Sequence, residues 1–134
     1  MTDRFFSVPV IQTTGSNAGA TGQVGTVLAH KQYINASIIA PRSGMVKVSI
    51  VVSGDQPNRA VRVALAVVRG FNNFQEQWNH IDTNVNIPLV TPNTYIRHIF
   101  FQNLSITEGE YVGIRVQNYE ANYMLNIAGV YLEY

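Results

Sequence analysis

Between Val46 and Val67 lie two runs in which apolar residues occupy every second position. Val46, Val48, Ile50 and Val52 alternate with Lys47, Ser49, Val51 and Ser53. Val61, Val63, Leu65 and Val67 then alternate with Ala60, Arg62, Ala64 and Ala66. A side-chain period of two is that of a strand with one buried face. Ser53-Gly54-Asp55-Gln56-Pro57-Asn58 separates the two runs and is built from turn-forming residues. Arg69-Gly70-Phe71-Asn72-Asn73 reads as another turn, and residues 85–88, 94–104, 111–118 and 122–134 read as further strands. Turn signals recur roughly every 8–15 residues, and no stretch of about ten carries a helical period. The pattern predicts an all-β, antiparallel β-sandwich, a jelly roll of about eight strands. Ile50, Leu65, Val67, Ile114 and Leu132 are expected in its core.

With 134 residues the chain is one domain. A chain of that size buries roughly 68–70% of its extended-chain surface, enough for one core. Residues 13–26 read TTGSNAGATGQVGT, a loop-like composition. Before them lies an apolar patch of Phe5, Phe6, Val8, Val10 and Ile11 around Pro9. Residues 1–26 are therefore expected to form an extended N-terminal arm, and residues 27–134 the jelly-roll domain. Such an arm would be mobile alone and ordered on a neighbour, with Arg4, Phe5, Phe6, Val8, Val10 and Ile11 as anchors.

Charged residues make up 13% of the chain, against about 25% in an ordinary domain, and net charge is +1. The nine Lys and Arg are scattered, so no basic face predicts nucleic acid as a partner. No run approaches the ~20 apolar residues of a membrane helix, and no membrane partner is expected. The N-terminus lacks the apolar run of a signal peptide, so synthesis in a cytoplasm is expected. Polarity rests instead on uncharged side chains, above all thirteen Asn. That composition suits an assembly component, and equally a turn-rich β chain.

The chain carries no recognisable reactive constellation. There is no Cys, and His30, His80 and His98 lack metal-site spacing. Asp82 near His80 is the only acid–His neighbour, without a strained nucleophile turn. Glu108 and Glu110 flank Gly109 and belong most simply to a turn. The expectation is no catalytic residue, no metal, no cofactor and no enzyme. Two groups remain. Phe71, Phe74, Trp78 and His80 interleave with Asn72, Asn73, Gln75, Gln77 and Asn79. Aromatic plates beside amides suit sugar binding or a protein hot spot. The alternative is that Phe74 and Trp78 plug one end of the sandwich. The second group is Ala64 and Ala66 with Tyr111, Tyr123, Tyr131 and Tyr134. It reads as a subunit interface, or as ordinary strand propensity.

Three motifs carry a resemblance. Residues 33–49 run from an apolar strand through Pro41-Arg42-Ser43-Gly44 into an alternating strand. Gly109-Glu110-Tyr111-Val112 forms a Gly-acid turn, and Ile127-Ala128-Gly129-Val130-Tyr131-Leu132 a closing strand. Together they resemble the tumour necrosis factor and complement globular-head jelly rolls. Met45 and Ile127 stand where that family has aromatics. The resemblance implies a homotrimer with the last strand near its three-fold axis. Short, Cys-free, arm-bearing trimers of this shape also occur as tailed-phage decoration and spike proteins. The leading expectation is thus a capsid decoration (cement) trimer, with a major capsid protein or other virion protein as partner and the virion as location. The alternatives are a receptor-binding head of a viral spike or fibre, or a carbohydrate-binding module.

Overall fold

The computed structural model describes residues 4–13, 16–17, 26–57, 59–70 and 81–134. Eleven strands follow in order: β1 Phe5–Ser7, β2 Val10–Thr13, β3 Ser16–Asn17, β4 Thr26–Leu28, β5 Tyr33–Ile39, β6 Gly44–Gly54, β7 Arg59–Gly70, β8 Ile81–Leu89, β9 Ile96–Ile106, β10 Tyr111–Asn118 and β11 Leu125–Glu133. Among the described residues there is no helix. One sheet runs β3-β4-β11-β6-β9, with β1 also paired to β11; the other runs β2-β5-β10-β7-β8. All pairings are antiparallel. Strands β4 to β11 supply the eight of the expected jelly roll, four to each sheet. The other three are short and precede them.

The core lies between the sheets. Val46, Val48, Ile50 and Val52 of β6 face Val61, Val63, Leu65 and Val67 of β7, joined by Val112, Ile114 and Val116 of β10. The five expected core residues are all buried. Strand β11 needs a correction to strict alternation. Its pairing with β6 shifts between Ile127 and Gly129. The extra residue, Ala128, lets Ile127 and Val130 both point inward although they are three apart. The Gly-acid turn is present as well. Gly109 has φ +87, and the Glu110 N–H donates to the Thr107 carbonyl at 3.0 Å. A Cβ at Gly109 would meet nothing within 4 Å, so glycine is there for its backbone conformation alone.

The N-terminal segment differs from the expected free arm. Phe5, Phe6 and Ser7 pair with Glu133, Leu132 and Tyr131, and β2 pairs with β5. Between them Val8 is buried in the core. The physical reason lies in the edges of β11 and β5, whose main-chain groups need partners. Pro9 sits at the crossing between sheets, where no N–H is required, and its carbonyl accepts from the Ser37 N–H at 2.9 Å.

Candidate functional site

Because Val112, Ile114 and Val116 face the core, Tyr111, Gly113, Arg115 and Gln117 face outward. Register sets their neighbours. Tyr33, Asn35, Ser37 and Ile39 of β5 oppose Gln117, Arg115, Gly113 and Tyr111. On the other side Ala64, Ala66, Val68 and Gly70 of β7 oppose the same four. The outer face of the five-stranded sheet is therefore a strip of small residues with a polar, aromatic group at its centre.

That central group is tightly built. The Arg115 guanidinium lies 4.1 Å from the Tyr33 ring centroid. Its Nε donates to Asn35 Oδ1 at 2.7 Å. Asn35 is only 2% exposed, unusual for an outward-facing amide, because Arg115 and its neighbours cover it. Gln117 Nε2 donates to the Lys31 carbonyl at 2.8 Å. One row away, Arg62 sits 5.5 Å from the Tyr119 ring, and the Tyr119 N–H donates to the Arg62 carbonyl. At the other end of the face the Tyr111 hydroxyl is buried and has no hydrogen-bond partner among the described residues. A buried hydroxyl without a partner is costly.

The six-stranded sheet carries a different polar group on its outside. Glu133 of β11 is buried and reaches across β6 to Arg97 of β9. Arg97 Nε donates to Glu133 Oε2 at 2.7 Å, and Arg97 Nη2 donates to Oε1. The Ser49 hydroxyl donates to the same carboxylate. The Arg97 hydrogen bond holds the Glu133 carboxyl below its usual range against the opposing effect of burial. Both carboxylate oxygens accept hydrogen bonds in this cluster, which ties three strands together. His98, on the opposite face of β9, packs edge-on to Phe100 at 5.2 Å, and burial pushes its imidazole below the ordinary value. Among the described residues no three His, Cys, Asp or Glu approach closely enough to hold a metal ion.

The residues expected at a trimer interface do not form one surface. Ala64, Ala66 and Tyr111 share the outer face just described. Tyr131 lies on the outside of the other sheet, over Gly129. Tyr134 packs on Phe6 at 5.6 Å and under Arg42 at 4.4 Å, and its hydroxyl donates to the Arg42 carbonyl. Tyr123 is 1% exposed and belongs to the core, where its ring lies on Gly54. An aromatic beside a glycine that lacks a side chain fills interior space better than it serves a surface. Of the expected arm anchors, Val8 is core, Phe6 is half-buried, and Arg4, Phe5, Val10 and Ile11 are exposed. Phe71, Phe74, Trp78 and His80 lie outside the described residues.

No family model and no curated protein matches the sequence. Solved structures do match. A family 35 carbohydrate-binding module from Cellvibrio japonicus superposes with a TM-score of 0.63 at 13% identity, covering 96% of this chain and 90% of that one. The chain has the jelly-roll fold of such carbohydrate-binding modules. Another family 35 module, in complex with a glucuronic acid-containing disaccharide, gives 0.64 at 13% identity over 97% and 92%. A family 36 module, in complex with calcium and xylotriose, gives 0.61 at 11% identity over 96% and 98%. The expected jelly roll is thus present. The narrower link to tumour necrosis factor heads and to virion proteins gains no support from these neighbours.

Tyr33, Asn35, Arg115 and Gln117 were not among the residues singled out in the sequence. The available signal was a lone Arg between Ile114 and Val116, on a strand whose other outward positions are uncharged. Tyr33 and Arg115 stand far apart in the chain, and only the register of β5 against β10 brings them together.

Proposed function

We propose that this protein is a non-catalytic carbohydrate-binding module that uses the outer face of its five-stranded sheet. One observation carries the reading: the Arg115–Tyr33–Asn35 group set in a strip of Ser37, Gly113, Ala64 and Ala66. A pyranose ring has an apolar face of C–H groups and a rim of hydroxyls. A tyrosine ring packs against the first. A planar guanidinium, held in place by the buried Asn35 amide, presents donors at fixed angles to the second. The small residues beside them let a flat ligand approach the sheet. The likeness to modules solved with a disaccharide and with xylotriose supports the reading.

The test is a binding screen of the folded protein against neutral and acidic soluble polysaccharides by affinity electrophoresis. At least one glycan is expected to retard the parent, and Tyr33→Ala and Arg115→Ala to migrate nearly freely. Losing one stacked or charge-assisted contact costs about 0.5–3 kcal/mol, roughly twofold to a hundredfold in affinity. Retardation of both variants equal to the parent's would remove this face from the account. A folded parent that no glycan retards would remove the function.

A further inference from the structure

The outer face of the six-stranded sheet carries a second group, and strand register builds it. The N-terminal strap of β1 and β2 places Phe5 opposite Glu133 of β11, and Glu133 lies opposite Lys47 of β6. Directly paired residues share a face, so the three form one row across β1, β11 and β6. It is the outer face, because Leu132, Val46 and Val48 beside them point into the core. Phe5 and Lys47 stand two strand spacings apart, about 10 Å between Cα atoms. Glu133 between them is buried, whereas Lys47 is exposed and Phe5 is 59% exposed.

Arg97 reaches into this row from β9. Glu133 accepts its Nε–H at 2.7 Å and an Nη2–H, which fixes the guanidinium plane. The guanidinium carbon then lies 5.8 Å from the Phe5 ring centroid. Its remaining N–H groups have no partner among the described residues, and the side chain is 47% exposed. One carboxylate therefore serves two cations, Arg97 and Lys47, and the row keeps a positive charge. Further cations flank it. Arg4 precedes Phe5 and donates to the Tyr134 carbonyl, and Arg42 lies over the Tyr134 ring at 4.4 Å. Lys and Arg that are scattered along the sequence are gathered here by the pairing of β1, β11 and β6.

We propose that Phe5, Arg97 and Lys47 form a second binding site, which takes an anionic polysaccharide. A pyranose ring lies on the Phe5 ring, and its carboxylate or sulfate accepts from Arg97 and Lys47. The proposal rests on the carbohydrate reading above only for the class of ligand; the site itself is on the opposite sheet. The row suits a glycan better than a nucleic acid. Single-stranded nucleic acid stacks successive bases on successive aromatic rings, and this row offers one exposed ring beside one fixed guanidinium. That pairing matches one sugar ring with one charged substituent.

The test is affinity electrophoresis of the Arg115→Ala protein, whose other face is disabled, in dextran, dextran sulfate and polygalacturonate. The two anionic polymers separate sulfate from carboxylate as the bound group. At least one of them is expected to retard the protein, and neutral dextran is not. Phe5→Ala and Lys47→Gln, each added to Arg115→Ala, should weaken the retention by about two- to tenfold. Both side chains are exposed, so neither change opens the core, and circular dichroism checks the fold. Phe5→Ala alters no charge, so its effect separates a built site from general attraction to a polyanion. Equal retardation with and without Phe5 would overturn the proposal, as would free migration of folded Arg115→Ala protein in both anionic polymers. Displacement by single-stranded DNA as effective as by the glycan would overturn the choice of ligand. A neutral glycan that binds the parent and not Arg115→Ala reports on the Arg115 face alone, so the two sites stand or fall separately.

Discussion

Gly54→Ala tests the interior of the sandwich at its tightest point. A Cβ built on Gly54 falls 1.6 Å from the Tyr123 hydroxyl, 2.5 Å from its Cζ and 2.8 Å from its Cε1. Ordinary carbon contacts lie at about 3.5–4.0 Å, so the hydroxyl must retreat by roughly 2 Å. Tyr123 is almost fully buried and its ring is rigid, so the retreat moves its neighbours too. Overpacking of this kind costs about 1–3 kcal/mol, occasionally more. For a chain of this size that lowers the melting temperature by roughly 3–15 °C. The assay is urea unfolding of the parent, Gly54→Ala, Tyr123→Ala and the double variant. Tyr123→Ala alone should cost about 3–5 kcal/mol, by analogy with other large aromatics. The double variant should cost less than the sum by about 0.5–3 kcal/mol, because removing the ring removes the clash. An unchanged midpoint for Gly54→Ala, or strictly additive losses, would refute the placement of Tyr123 over Gly54. It would return Tyr123 to the surface.

Other outcomes follow from the same packing. Leu65→Ala should destabilise by about 2–5 kcal/mol with an unchanged urea m-value, because Leu65 is fully buried between β10 and β8; a parent-like melt would mean that the faces of β7 are reversed. Glu133 should make the fold acid-sensitive. Its folded carboxyl titrates below the unfolded value, so its stabilisation is present above the unfolded value and is lost as pH falls through the folded one. Between about pH 5 and pH 3 the parent should therefore lose more stability than Glu133→Gln, and parallel losses in acid-titrated urea melts would count against the Arg97 pairing.

Much of the fold can be read from the sequence because its signals are local. Alternation at residues 46–52 and 61–67 assigns β6 and β7 and their buried faces, and Gly109 marks the turn before β10. The N-terminal segment was less legible. Its alternation of Phe6, Val8 and Val10 is the same in an arm and in a strap, and only the free edges of β11 and β5 decide between them. Tyr123 misled for a related reason. Its inward position depends on the close approach of Gly54, a residue that reads locally as part of a turn. The candidate binding face was least legible of all. Tyr33, Asn35 and Arg115 are each ordinary outward residues until the pairing of β5 with β10 makes them one group.

A glycan held on the Arg115–Tyr33 face would perturb that group before any other. The most direct measurement is a nuclear magnetic resonance titration of labelled protein with the glycan that retards it most in the screen. The Arg115 Nε–H, the Asn35 and Gln117 side-chain amides and the Tyr33 ring protons are expected to shift first and to saturate together. Shifts confined to the Glu133–Arg97 side of the sandwich, or to the strand-connecting loops, would contradict the account.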